Sequence, residues 1–185
     1  MTKTKKLTLS AIMVALSTVL VILSKLIPAP WMQGGSITLA SMVPIIAASL
    51  VIDLKWGVLT GIVFSLIQMM TGFYPPPTQN FLNFFLVIML DYVVAFGVLG
   101  CAGLFYRLMD KKLWAIPVSG VIVTFLRYVC HIISGILIWG VYAEEGQGVL
   151  AYSVTYNGSY MIPEIIITGV VLSILSKFII KWANN

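Results

Sequence analysis

The sequence predicts an all-α integral membrane protein of six transmembrane helices with both termini in the cytoplasm. Three observations carry that expectation. Of 185 residues, 60% are hydrophobic and 9% charged, with a mean hydropathy of +1.04, whereas a soluble domain carries about 25% charged residues. The apolar residues fall into runs near the ~20 residues that a helical span needs. The cations gather on alternate connections: Lys3, Lys5, Lys6, Lys55, Arg107, Lys111, Lys112, Lys177 and Lys181 share one side, and only Lys25 borders the other. Cations mark the cytoplasmic side. The length suits one transmembrane domain over residues 1–185.

Helix 1 is expected over residues 7–27. The basic start and apolar run imitate a signal peptide, but no small-x-small cleavage site follows, so the segment is kept as a span. Ala11 and Ala15 form a small-xxx-small pattern that lets another helix approach closely, from this chain or from a partner. Pro28 and Pro30 end the helix, and Trp31 follows in a Gly-rich loop, an interfacial anchor on its residue type alone. Helix 2 is expected over 37–52, with Pro44 inside it, and helix 3 over 56–70. Tyr74, Pro75, Pro76 and Pro77 then forbid a helix. Helix 4 is expected over 81–106, helix 5 within the apolar run 113–143 and helix 6 over 160–180, with Pro163 and Glu164 in its first turn. Residues 144–157 read as the longest loop, on the extracellular side with 31–36 and 72–80.

Several function classes lack support. The 11 Lys and Arg form no nucleic-acid groove. Cys101 and Cys130 sit in apolar segments and read as packing residues, with no disulfide framework or metal-ligand spacing. There is no G-x-x-x-x-G-K-[ST], no H-E-x-x-H and no nucleophile beside a base. The chain reads as a binding protein without a cofactor, and not as an enzyme.

The polar residues at membrane depth point to what it binds with. Arg127, His131, Gly135 and Trp139 recur at i, i+4 in helix 5, and Asp91 and Tyr92 lie in the middle of helix 4. A charge at bilayer depth costs about 2.5–3.5 kcal/mol on insertion scales, so it faces a protein interior or a wet cavity. Asp91 has two readings: a buried ion pair with Arg127 that fastens helices 4 and 5, or a carboxylate that meets a cationic solute with Arg127 tuning its charge. Tyr152, Tyr156 and Asn157 read as an aromatic belt or as walls for a flat polar ring.

These residues carry a resemblance. Gly34-Gly-Ser-Ile-Thr-Leu-Ala-Ser-Met-Val-Pro44, Leu90-Asp-Tyr-Val-Val-Ala-Phe96, His131-Ile-Ile-Ser-Gly135 with Trp139, and Tyr152-Ser-Val-Thr-Tyr-Asn157 resemble the thiamine-specific substrate-binding (S) components of energy-coupling factor vitamin transporters. The resemblance covers nearly the whole chain. It implies a six-helix S-component-like bundle in a prokaryotic plasma membrane that captures thiamine from outside. It implies as partners a transmembrane coupling protein and two ATPase subunits, with Ala11 and Ala15 on the partner face. It implies ligand contacts at Asp91, Tyr92, His131, Gly135, Trp139, Tyr152 and Asn157, with Phe64, Tyr74 and Trp31 as further members. Some family members carry Glu in place of Asp91 and Trp in place of Phe64, and the segment with three prolines is longer here. The alternatives are an S-component for another vitamin or a hydroxymethylpyrimidine, a secondary transporter with Asp91 and His131 as a proton relay, and a membrane protein whose polar residues only lock helices.

Overall fold

The structure, a computed structural model, describes residues 1–26 and 35–183. Six helices follow one another: α1 (Lys3–Ser24), α2 (Met42–Val51), α3 (Leu54–Gly72), α4 (Phe81–Leu108), α5 (Ala115–Tyr142) and α6 (Val149–Ala183), and the described residues contain no strand. Five are long and apolar enough to cross a membrane. The exception is α2, whose 10 residues cover about 15 Å at ~1.5 Å per residue, half of the ~30 Å hydrocarbon layer. Every residue of α2 is buried. It is the centre of the bundle and not a wall of it.

Residues 37–41, expected in helix 2, stay outside α2. Ala40 takes a left-handed φ of 59°. The Thr38 amide donates to the Glu164 carboxylate on α6, and the Leu39 amide donates to Ser24 Oγ on α1 at 2.8 Å. Non-helical backbone is tolerated at membrane depth where protein groups satisfy it, and here two neighbouring helices do so.

Side-chain caps set three helix starts. Thr2 Oγ1 accepts from the Lys5 amide at 3.3 Å, Asp53 Oδ1 from the Trp56 amide at 3.0 Å, and Asn80 Oδ1 from the Asn83 amide at 2.8 Å. Each cap occupies one of the four orphan donors of a helix N-terminus. Asp53 also pairs with Lys6 Nζ at 2.5 Å and feels the charge of Arg107. The N-terminus, the α2–α3 turn and the α4–α5 turn therefore share one end of the bundle. At the other end, Lys25 Nζ reaches the Thr71 carbonyl at 3.1 Å.

Inside, α1 turns Ser10, Ser17 and Ser24 inward and leaves Ala11 and Ala15 exposed. That small-xxx-small pair makes no internal packing surface. Small residues let α3 and α4 touch: a Cβ on Gly61 would lie 2.3 Å from the Phe96 carbonyl oxygen, and one on Gly100 2.2 Å from the Val58 amide.

The last helix differs most from expectation. It starts at Val149 and runs 35 residues, so residues 149–157 are helix and not loop, and Pro163 and Glu164 lie at its middle and not in its first turn. Bonds to α5 stabilise this stretch against its weak propensity: Ser153 Oγ donates to the Ile132 carbonyl at 2.8 Å, Tyr128 Oη to the Val154 carbonyl at 2.7 Å, and Asn157 Nδ2 to the His131 carbonyl at 3.2 Å. Tertiary contacts of this kind routinely override propensity.

Candidate functional site

Two helices lose their α-helical register at facing positions. In α4, Ile88–Val93 is a π turn, and the Val94 amide donates to the Met89 carbonyl, five residues back. In α5, Gly135–Trp139 is a second π turn. Such turns cluster at functional sites because the wider turn re-aims side chains. The first carries Asp91 and Tyr92. The second brings Trp139 over Ser134, five residues earlier, where its Nε1 donates to Ser134 Oγ at 3.2 Å. The i, i+4 face read from the sequence is thus broken at Gly135, which turns towards α6 while Trp139 stays with His131.

The two π turns meet through Asp91. Its Oδ1 is 3.0 Å from His131 Nδ1; its Oδ2 accepts from Ser134 Oγ at 2.6 Å and from Trp139 Nε1 at 3.2 Å. Arg127 Nε donates to His131 Nε2 at 3.2 Å. That bond needs the Nε2 lone pair, so the proton of a neutral ring sits on Nδ1 and points at Asp91. Arg127 does not pair with Asp91. Its guanidinium lies over the Phe96 ring, 3.9 Å from the centroid, and acts on Asp91 across the imidazole. The buried Asp91–Arg127 ion pair raised by the sequence is absent among the described residues, because the imidazole occupies the space between them.

Aromatic rings build the rest of the enclosure. Tyr92 Oη donates to the Gly72 carbonyl at 3.2 Å and accepts from the Tyr74 amide at 3.1 Å. These bonds fold the segment after α3 back over the cavity, and Tyr74 comes to rest 5.6 Å from Trp139, ring to ring. On α6, Tyr152 stacks on Tyr156 at 5.7 Å, and Tyr160 packs edge-on to His131 at 6.1 Å.

Between these walls lies a cavity of about 160 Å³. Asp91, Tyr92, His131, Trp139, Tyr152, Asn157 and Tyr74 all line it. Two expected members stand behind its surface. Phe64 is fully buried and packs edge-on against Phe96 at 5.1 Å; one turn further along α3, Gln68 lines the cavity in its place. Gly135 is where α5 and α6 touch, since a Cβ there would lie 2.0 Å from Ser153 Oγ. Trp31 lies outside the described residues. Asn157 is held by its own neighbours: Nδ2 donates to the carbonyls of His131 and Ser153, and Oδ1 accepts from Tyr160 Oη at 2.5 Å.

The sequence reading passed over Gln68, Tyr160 and Glu164. Three lining residues keep a buried polar atom with no partner among the described residues: Gln68 Nε2, Tyr152 Oη and Glu164 Oε2. An unmet buried donor or acceptor costs about 1–3 kcal/mol, and these three lie just behind the cavity surface. The walls therefore suit a flat, partly polar, cationic molecule: ring faces for stacking and a carboxylate fixed in place.

Comparison with known proteins returns a consistent set of relatives. The family model described as "Thiamine transporter protein (Thia_YuaJ)" matches residues 7–184. The chain is 37% identical over 154 residues to thiamine transporter ThiT of Bacillus subtilis, covering 77% of this chain and 76% of that one. It is 33% identical over 95 residues to ThiT of Lacticaseibacillus paracasei, covering 46% and 47%. A solved structure of ThiT from Listeria monocytogenes superposes with a TM-score of 0.72 over 97% of this chain and 98% of that one, at 22% identity, which speaks to the fold.

Proposed function

The chain belongs to the thiamine transporter protein family and is a multi-pass membrane protein; from that premise we propose that it captures thiamine in the cavity between α3, α4, α5 and α6 and hands it on as the substrate-binding subunit of an energy-coupling factor transporter. The function named in its relatives is transport and not catalysis. The observation that carries the proposal is the arrangement around Asp91. Three donors, His131, Ser134 and Trp139, hold this carboxylate in a cavity walled by tyrosines and one indole.

Thiamine joins a permanently cationic thiazolium to an aminopyrimidine. Aromatic faces attract such a cation by about 0.5–2 kcal/mol each, most when desolvated. Trp139, Tyr74, Tyr152 and Tyr156 offer those faces. Tyr152 and Gln68 line the cavity, and a small turn of either side chain would bring its unpartnered Oη or Nε2 to the pyrimidine edge or the hydroxyl tail. His131, locked in one tautomer, keeps the carboxylate aimed. Gly135 serves by letting α6 approach, which brings Tyr152 and Asn157 to the wall.

Energy has to come from elsewhere, because the sequence holds no nucleotide-binding signature. Ala11 and Ala15 are exposed on α1 while its serines face inward, a surface suited to close approach by a helix of a transmembrane coupling protein that two ATPase subunits drive. The positive-inside bias places the Lys6–Asp53–Arg107 end in the cytoplasm and the cavity in the outer half. Calorimetric titration of the purified chain with thiamine tests the proposal. Saturable one-site binding, lost on replacing His131 by Leu, is expected; absence of binding to the ligand-free protein would refute it.

A further inference from the structure

The charges that face the cavity do not cancel. Its lining holds two carboxylates, Asp91 and Glu164, and one cation, Arg127; His131 is neutral in the tautomer its partners fix, and the other ionisable lining groups are tyrosine phenols. The two carboxylates are not equivalent. Asp91 accepts three hydrogen bonds from its own chain. Glu164 is fully buried; its Oε1 accepts the Thr38 amide, while its Oε2, sealed from solvent, has no partner among the described residues. No ion pair joins Glu164 to Arg127 among the described residues, because the guanidinium is held over Phe96 and against His131.

We propose that Glu164 is a further specificity-determining residue: its carboxylate, with Oε2 unpartnered inside the cavity wall, offsets the permanent positive charge of the ligand, and the net single negative charge of the walls selects a monocation over a neutral molecule of the same shape. This rests on the thiamine reading above. With a neutral occupant the buried Glu164 carboxyl lacks a counter-charge and takes up a proton to become neutral, which removes the charge contact that favours the cation. A monocation balances the walls. The role divides the site: Asp91, fastened to His131 and Trp139, orients the ligand, and Glu164 counts its charge. The bond from Thr38 fixes Glu164 in place and ties residues 35–41 to α6.

The test uses the purified full chain and three probes: thiamine, an uncharged isostere with carbon in place of the quaternary nitrogen, and the aminopyrimidine alcohol that lacks the second ring. The wild-type chain should prefer thiamine over the isostere. In Glu164→Gln, affinity for thiamine should fall about tenfold or more, as expected for a lost buried charge contact, while isostere and fragment stay within about twofold of wild type. Equal losses for thiamine and isostere would make Glu164 a scaffold for Thr38 and overturn the proposal; so would an unchanged thiamine affinity. Thermal unfolding accompanies each titration. If the Gln variant does not fold, Glu164→Asp, which keeps the charge but withdraws it by one methylene, should narrow the preference for thiamine, and an unchanged preference would overturn the proposal. A wild-type chain that binds no thiamine sinks the thiamine reading itself, whereas a wild type that binds it beside an indifferent Gln variant sinks only the role of Glu164.

Discussion

Replacing Asp91 by Asn changes one oxygen for an amide and removes the charge, and the structure shows why neither loss can be absorbed. If the new NH2 faces His131, it meets the Nδ1 proton. The ring cannot exchange tautomers, because Nε2 would then present a proton to Arg127 Nε, 3.2 Å away. If the NH2 faces the other way, the Ser134 hydroxyl can rotate to accept, while the Trp139 indole N–H loses Oδ2, 3.2 Å away, and keeps only Ser134 Oγ. Either way a buried donor loses its bond to the carboxylate, at about 1–3 kcal/mol, and the ligand loses a charged neighbour. We expect thiamine affinity to fall by roughly 5- to 150-fold, since 1.4 kcal/mol is tenfold. Calorimetric titration with thermal unfolding in parallel measures it. A Trp139→Phe background, which keeps the ring face but removes the N–H, separates two causes. If Asp91→Asn costs nothing there, the loss came from the indole's lost bond and Asp91 does not read the ligand. Wild-type affinity in the single mutant would refute the reasoning outright.

Four further outcomes follow from the packing. Ala11→Leu with Ala15→Leu should abolish uptake in cells yet leave thiamine affinity within about twofold, because exposed positions tolerate size; collapse of binding would return that face to internal packing. Gly135→Ala should destabilise the protein by about 1–3 kcal/mol through overpacking against Ser153, and Ser153→Gly should restore most of it in a thermal-unfolding assay; a neutral Gly135→Ala would contradict the close α5–α6 approach. Burial alone would push the Asp53 carboxyl up, but the Lys6 ammonium and the Trp56 amide outweigh it and hold it below the usual carboxylate range. Its stabilisation is thus present above the unfolded pKa and lost as pH falls through the depressed folded value, so Lys6→Ala should flatten part of the acid limb of stability below about pH 4, by no more than ~1 kcal/mol for a pair that solvent still reaches. Finally, cysteines at Thr2 and Ala183 should resist impermeant thiol reagents in intact cells and react in inverted vesicles; labelling from outside would reverse the topology.

The parts legible in the sequence were those in which one residue type has few explanations. Asp91, Arg127 and His131 sit in otherwise apolar runs, and an ionisable group at membrane depth must face an interior; all three line the cavity. The distribution of cations gave the side shared by the N-terminus and two turns, and the Lys6–Asp53 bond joins two of those segments. Less legible were departures from ideal helices. A π turn leaves no mark in hydrophobic periodicity, so Gly135 and Trp139 were read onto one face when the inserted residue parts them. Residues 37–41 are as apolar as a helix, and only the carboxylate of Glu164 and the hydroxyl of Ser24, both distant in sequence, explain why they are not one. Phe64 missed the cavity by one turn, a distance that sequence spacing alone does not resolve.

One boundary decided the most. With helix 6 starting near residue 160, Glu164 falls in a first turn close to the interface, where a carboxylate is unremarkable and even favoured by the helix dipole. With the start at Val149, the same residue lies 15 positions in, about 22 Å along the axis at ~1.5 Å per residue, and a carboxylate there demands a reason. The corrective signal was present: Tyr152, Tyr156, Tyr160 and Glu164 recur at four-residue intervals, a spacing that stacks side chains along a helix and has no meaning in a loop. Gly148, Gly158 and the polar residues between them mask it, because their helix propensity is low and their partners on α5 are distant in sequence. Once the helix is continuous, three aromatic rings and one carboxylate descend from its outer end to its middle on a single rigid element. The ring-stacking wall and the Glu164 carboxylate are then fixed relative to each other by backbone geometry, so the proposed role of Glu164 requires a ligand that spans them to match in length and in charge together.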